Sequence, residues 1–140
     1  MGYQKYNKEK KNMNELANKR EKELLDMLWK ADKAMTSMDM LNYLDEDNWN
    51  KLSVFRTVNG LLSKELIKVD GLEQNKTQYA RTYLPAVTKE EYAAMTLEND
   101  GFGLSSIDRL AQALYKRGKH SKKEKEELVN RLQSIIDEIR

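Results

Sequence analysis

The 140-residue chain has no cysteine, one proline and one histidine. Without cysteine there can be no disulfide framework, no thiolate metal site and no cysteine nucleophile. These absences favour a cytoplasmic protein without a metal centre.

Long hydrophobic runs are also missing. No apolar stretch approaches the roughly 20 residues that span a bilayer. The first residues, MGYQKYNKEKKNMNE, lack the apolar core of a signal peptide. We therefore expect a cytoplasmic location and no membrane partner.

The sequence shows no catalytic constellation. His120 lies in the basic run KRGKHSKKEK with no partner cysteine and no HExxH spacing, so a surface histidine in a turn is the simpler interpretation. There is no GxGxxG and no Walker-type loop. Acidic pairs such as Glu90-Glu91 stand where helix starts and solvated faces are expected. We expect neither an enzyme nor a cofactor.

Charge is unevenly distributed, although the net value is only +2. Residues 31–50 carry one lysine against five acids, a balance of −4, whereas residues 51–87 carry six basic residues against three acids, a balance of +3. Local basicity of this size is a hint of contact with nucleic acid and is equally typical of a solvated surface.

Two helices are predicted before the basic segment. The stretch NKREKELLDMLWKA has Asn18 as a cap with Glu21 three residues later, followed by an apolar stripe at helical spacing. The stretch TSMDMLNYL repeats the capping pattern with Thr36 and Asp39. An acidic turn, DEDNWN, follows it.

A third helix is predicted over residues 52–66. Its apolar face consists of Val54, Val58, Leu61, Leu62 and Leu66. The opposite face carries Lys51, Ser53, Arg56, Asn59 and Ser63. Gly60 in the middle costs about 1 kcal/mol relative to alanine. Such a glycine indicates close packing or close approach by another group.

The hydrophobic period then changes to two, which predicts a hairpin. LIKVDG is read as a strand, LEQNK as a polar turn and TQYARTYLP as a returning strand, with Tyr79, Arg81 and Tyr83 on one side. Pro85 closes the hairpin. Thr88 with Glu91 starts a helix that runs to about Glu98.

The stretch NDGFG at 99–103 predicts a hinge, and two amphipathic helices follow it. A pair of helices cannot bury so much apolar surface internally, so it must dock on the first domain or on a second copy. The residues predicted to dimerise are Ile107, Leu110, Leu114, Leu128, Leu132, Ile135, Ile136 and Ile139.

The order helix, helix, helix, hairpin, helix is that of a winged helix-turn-helix. The predicted fold class is therefore mainly α with a small β hairpin: a flexible arm at 1–17, a winged helix DNA-binding domain at 18–99, and a helical dimerisation region at 100–140.

The major groove admits one α-helix, and a wing can reach the adjacent backbone or minor groove. We predict that helix 52–66 enters the major groove and that wing 71–77 contacts the backbone or minor groove. The predicted DNA contacts are Lys51, Ser53, Arg56, Asn59, Ser63, Gln74, Asn75, Lys76 and Arg81.

From about residue 16 to residue 140 the chain resembles the bacterial penicillinase-repressor (BlaI/MecI) family, which also includes copper-responsive (CopY) repressors. The resemblance rests first on Glu21, Leu24, Leu25, Leu28 and Trp29 in the opening helix. It continues with Trp49 before the third helix, Ser53-Val54 in place of a Thr-Val pair, and then Val58, Leu61, Lys64 and Leu66-Ile67. The sequence Tyr83-Leu84-Pro85 is similar to the Tyr-x-Pro that closes the family's wing.

The resemblance implies a homodimeric repressor whose winged domains bind the half-sites of a palindromic double-stranded operator. A sensor protein or a protease is then a candidate partner for induction, and proteolysis, ligand and partner all stay open as routes of release. The rival interpretation is a winged-helix module for protein–protein contacts with no specific DNA site.

Three departures from the family pattern limit what the resemblance transfers. Arg56 stands where a second threonine is usual and Gly60 where arginine is usual, so the operator sequence does not carry over. The absence of cysteine excludes metal sensing through cysteine pairs. Some members are cut between Asn and Phe, and the aligned pair here is Ala113-Leu114.

Overall fold

The computed structural model describes residues 15–140, so most of the predicted arm at 1–17 lies outside the described residues. The first unit, which ends at Asp100, contains α1 (Lys19–Ala31), α2 (Ser37–Tyr43), α3 (Lys51–Ser63), β1 (Ile67–Asn75), β2 (Gln78–Pro85) and α4 (Lys89–Asn99). The second unit, Gly101–Arg140, contains a short 3₁₀ turn (Leu104–Ser106), α5 (Ile107–Tyr115) and α6 (Lys122–Ile139).

Reciprocal capping boxes begin every α-helix of the described residues except α5. The pairs Asn18/Glu21, Thr36/Asp39, Thr88/Glu91 and Ser121/Glu124 each exchange two side chain–backbone hydrogen bonds, as predicted. A fifth pair, Asn50/Ser53, starts α3 and was not predicted. Each box satisfies two backbone N–H groups that have no partner inside the helix, which fixes where the helix begins.

The core of the first unit lies where α1, α2 and α3 meet the base of the hairpin. Its fully buried members include Leu24, Leu25 and Leu28 of α1, Met40 of α2, and Val54, Val58 and Leu61 of α3. Met35, between α1 and α2, pairs with Tyr83 of β2 through two backbone hydrogen bonds of 3.1 and 2.9 Å. The helices are thereby tied to the hairpin by both apolar packing and a β-bridge.

Helix α3 ends at Ser63, three residues earlier than predicted. Glu65 adopts a left-handed conformation with φ 59°. The N–H of Glu65 then donates to Leu62 O and that of Leu66 to Leu61 O, both at 3.0 Å. This is a Schellman motif, in which the residue after the turn packs on the last helical turn. Leu66 is buried as predicted, but as part of this turn and not of the helix.

The hairpin is longer and its connection shorter than predicted. The strands pair in antiparallel register from Ile67 opposite Pro85 to Asn75 opposite Gln78, with a bulge between Val69 and Gly71. Only Lys76 and Thr77 connect them. The prediction of a polar turn at 72–76 was wrong because both faces of this outer ribbon are solvated, so its polar residues show no alternation.

An ion pair between buried Glu21 and half-buried Lys64 joins α1 to the residue that follows α3. Glu21 is 4% exposed, and its Oε1 accepts hydrogen bonds from the backbone N–H of Asn18 and from the ammonium of Lys64. The same carboxylate lies against Gly60 of α3, where an added β-carbon would overlap Oε2 and lie 3.3 Å from Cδ. The mid-helix glycine is therefore explained by close approach of the Glu21 carboxylate.

The unit from Gly101 to Arg140 is a pair of amphipathic helices. His120, in the turn between α5 and α6, stacks on Tyr115 with ring centroids 4.7 Å apart. The pKa of Glu124 is lowered from its ordinary value. The main cause is the hydrogen bond from the backbone of Ser121, followed by that from the Ser121 side chain, and the nearby His120 adds a smaller effect. None of the helices in residues 15–140 has the length and hydropathy of a membrane span.

The contact between Gly60 and Glu21 predicts an effect of opposite sign in two backgrounds. In the parent protein, Gly60→Ala should lower the free energy of unfolding, because overpacking of about 1–3 kcal/mol exceeds the helix-propensity gain of about 1 kcal/mol. In a Glu21→Ala background the same change should raise it by about 1 kcal/mol. Urea denaturation of the four proteins measures both effects. Equal effects in the two backgrounds would contradict the contact.

Candidate nucleic-acid interface

Helix α3 presents a polar face to solvent. Lys51, Arg56, Asn59 and Ser63 are all exposed. The opposite face is buried through Val54, Thr57, Val58 and Leu61. Arg56, Asn59 and Ser63 follow at spacings of three and four residues, which places their side chains in one row along the helix. No aspartate or glutamate occurs between Lys51 and Ser63, so the row carries net positive charge.

Ser53 differs from the other predicted contacts on α3. It is half-buried, and its hydroxyl accepts from the N–H of Asn50 at 2.8 Å and donates to Asn50 O at 2.9 Å. The backbone N–H of Ser53 in turn donates to Asn50 Oδ1 at 2.9 Å. Ser53 therefore maintains the start of the helix, and a DNA contact from it would use a hydroxyl already engaged in the cap.

The polar wing residues gather at the end of the hairpin. Gln74 and Asn75 end β1, and Lys76 is the first residue of the two-residue connection, with φ 59°. The Gln74 amide donates to Lys76 O at 3.1 Å, which braces the tip. Arg81 lies further down β2, opposite Leu72. The hairpin thus carries Lys76 at its tip and two further cations, Lys68 and Arg81, along its strands.

The polar row on α3 has apolar neighbours that the sequence reasoning missed. Leu52 and Phe55 of α3 are 55% and 58% exposed, and Met38 of α2 is 55% exposed. These three side chains line one shallow cavity of about 400 Å³ between α2 and α3. A helical wheel would have revealed them, because Leu52 lies four residues before Arg56 and Phe55 four residues before Asn59.

The predicted dimerisation residues leave much of their apolar surface uncovered in a single chain. Leu110 and Leu128 are half-buried, whereas Ile107, Leu114, Leu132, Ile135, Ile136 and Ile139 are exposed. A cavity of about 590 Å³ between α5 and α6 is lined by Leu114, Tyr115, His120, Leu128 and Leu132 among others. An apolar surface of this kind is typical of a protein–protein interface.

The sequence profile of the penicillinase repressor family matches residues 17–134. The chain belongs to the penicillinase repressor family. The resemblance found in the sequence is thereby confirmed, and so is the predicted fold class of a winged helix-turn-helix followed by a helical region. The penicillinase repressor family consists of transcriptional regulators, so this member is a DNA-binding transcriptional regulator.

Solved structures show weaker similarity to this penicillinase repressor, and no curated protein matches it significantly in sequence. A cysteine-to-serine mutant of Lactococcus lactis ZitR has 14% identity over 89% of this chain and 76% of its own, with a TM-score of 0.41. Staphylococcus aureus MarR in complex with salicylate and kanamycin has 19% identity over 85% and 71%, with a TM-score of 0.39. The adhesin competence repressor AdcR of Streptococcus pyogenes has 16% identity over 91% and 84%, with a TM-score of 0.38. At TM-scores below 0.5 these similarities add nothing to the family assignment.

The capping role of Ser53 predicts a loss of stability on its removal. Ser53→Ala deletes the hydrogen bond that the Asn50 N–H donates to the Ser53 hydroxyl, which is one of the two bonds of the α3 capping box. It should lower the free energy of unfolding by about 0.5–1 kcal/mol. Ser63→Ala, at an exposed serine in the last turn of the same helix, is the matched control and should not lower it, because alanine favours the helix slightly more than serine does. Thermal or urea denaturation followed by circular dichroism measures both. Equal stability of the two variants would show that the box contributes nothing.

Proposed function

We propose that the protein is a sequence-specific repressor that binds a palindromic operator as a homodimer. Helix α3 lies in the major groove, and the hairpin of β1 and β2 contacts the backbone or minor groove. The observation that carries the proposal is the row of Arg56, Asn59 and Ser63 on the open face of α3, with Lys51 in the first turn and no acidic residue in the helix. A helix of 13 residues is about 20 Å long, which is enough to follow several base pairs of a groove about 12 Å wide.

Each exposed side chain of the row suits a different contact. The Arg56 guanidinium matches the two acceptors on a guanine edge, and the Asn59 amide matches the acceptor and donor of adenine. Lys51, in the first turn, is suited to a phosphate. Ser63, at the far end of the helix, is suited to a phosphate or to a base edge. Ser53 contributes a phosphate contact only through a hydroxyl shared with the cap.

The wing supplies contacts that position the domain without reading sequence. Lys76 at the tip and Arg81 on β2 are suited to phosphates, while Gln74 and Asn75 reach either phosphates or the minor groove. The short connection and the Gln74–Lys76 hydrogen bond support this role, because a braced tip loses little conformational freedom on binding.

Dimerisation through the second unit is the other half of the proposal. The apolar faces of α5 and α6 are open in the single chain, and a second copy offers the same surface in a two-fold arrangement. A two-fold protein on a two-fold operator binds both half-sites together, which multiplies the affinity of each winged domain. For induction, a sensor protein or a protease remains the proposed partner.

A second candidate function is a protein–protein interaction module. The observation that favours it is the apolar cavity of Met38, Leu52 and Phe55, together with the exposed carboxylates of the turn at 45–47. Carboxylates repel a duplex, so a protein partner would tolerate this surface more readily. The dependence of binding on salt distinguishes the two functions, because contacts with several phosphates make affinity fall steeply as salt rises.

Arg56 and Lys76 should affect DNA binding in different ways. Arg56→Ala should weaken binding to a selected operator by about 1–3 kcal/mol and relax the base preference at one position. Lys76→Ala should weaken all duplexes about equally and reduce the salt dependence by about one phosphate contact. Fluorescence anisotropy over a salt series measures both effects.

Lys30→Ala is the control for charge, since Lys30 is an exposed lysine on α1 outside the proposed surface. Its affinity for the operator should equal that of the parent. If Arg56→Ala and Lys76→Ala also bound like the parent, neither α3 nor the wing would contact DNA.

Leu132 provides the test of the dimer interface. Leu132→Asp should yield monomers, because an unpaired charge buried in an apolar interface costs several kcal/mol. Ser134→Asp places the same charge on the opposite side of α6 and should leave the dimer intact. Sedimentation equilibrium gives the mass of each variant. If Leu132→Asp formed a dimer as stable as that of the parent, this face of α6 would not be part of the interface.

A further inference from the structure

Three large apolar side chains are exposed on the surface that would face DNA under the proposed function. Met38, Leu52 and Phe55 are each more than half exposed, and they line one cavity of about 400 Å³ with Ser37, Leu41, Lys51 and Val54. Single exposed apolar residues are common on protein surfaces. A contiguous group of three such residues is less common, and it is typical of a surface that binds an apolar group.

The group lies at the amino-terminal end of the polar row. Leu52 precedes Arg56 by four residues, and Phe55 precedes Asn59 by four, so each apolar side chain has a polar base-reading candidate one turn further along the same face. In a helix-turn-helix the amino-terminal residues of the groove-bound helix contact the base edges. Leu52 and Phe55 lie in this amino-terminal part of α3, the part that would contact base edges under the proposed function.

Leucine and phenylalanine side chains offer no hydrogen bond, so they cannot read the donors and acceptors of a base edge or hold a phosphate. Thymine carries the one methyl group that a B-DNA base presents in the major groove, at C5. We infer that Leu52 and Phe55 determine specificity by packing on thymine C5-methyl groups, with Met38 closing the side of the contact. This inference rests on the proposed function.

The charges around the group favour a duplex over an apolar protein partner. Lys51 lines the same cavity, Arg56 follows Phe55 directly, and the helix between Lys51 and Ser63 contains no carboxylate. Phosphates that flank the bound thymines would meet these two cations. An apolar protein helix in the cavity would instead leave Lys51 and Arg56 facing it without acceptors.

Removal of the methyl group alone tests the inference. An operator is first selected from random duplexes with the parent protein, and each thymine in one half-site is then replaced singly by deoxyuridine. The substitution keeps every hydrogen-bonding atom of the base edge and deletes only the C5-methyl. At one or more positions the parent should bind about three- to fivefold more weakly, which corresponds to the loss of one buried methyl group.

The variants assign that loss to particular side chains. Phe55→Ala and Leu52→Ala should bind the thymine operator more weakly, and at the sensitive position they should no longer distinguish thymine from deoxyuridine. Both residues are exposed, so neither change disturbs the core. Leu104→Ala removes a leucine that is 89% exposed outside the first unit, and it should keep the full deoxyuridine effect.

Three failures can be told apart. If the parent binds a selected operator tightly and every deoxyuridine duplex equally well, the methyl contact is wrong and the proposed repressor function stands. If the parent selects no sequence, the proposed function fails and the inference with it. A deoxyuridine effect that persists unchanged in both alanine variants would assign methyl recognition to other residues and overturn the inference.

Discussion

The contact of Glu21 with Gly60 and Lys64 is the constraint that sets which face of α3 is exposed. The carboxylate of Glu21 on α1 accepts a hydrogen bond from Lys64 and lies against Gly60 of α3, so that this contact favours one rotation of α3 relative to α1. A buried ion pair contributes little net stability, because desolvation offsets most of its attraction, but its geometry favours one arrangement over its alternatives. Here that arrangement turns the row of Arg56, Asn59 and Ser63 outward. A helix rotated by one residue would bury part of the row.

The rest of the first unit supports the same orientation from other sides. Reciprocal caps fix where α3 begins, and the Schellman motif fixes where it ends and sends Leu66 into the core. The bridge between Met35 and Tyr83 fastens the base of the hairpin to the helices. The hairpin and the polar row are thus held in place by caps, turn hydrogen bonds and a β-bridge as well as by the core.

The fold was largely predictable because its signals are local. Capping residues stand three positions from their partners, and apolar stripes recur at helical spacing, so α1, α2, α4, α5 and α6 follow from short windows of sequence. The end of α3 was not predictable in this way. Glu65 adopts a left-handed conformation that glycine usually supplies, and Leu66 continues the apolar period although the helix has stopped. The extent of β1 was missed because a ribbon solvated on both faces leaves no alternating pattern.

The sequence by itself determined the family, the order of elements and the polar face of α3, since all three depend on residue type and spacing along the chain. Only the tertiary structure decided why Gly60 is required, because the group that approaches it lies 39 residues earlier on another helix. It also revealed that Met38 of α2 joins Leu52 and Phe55 in one apolar surface. These facts depend on distances between side chains, which packing sets and residue spacing alone does not encode.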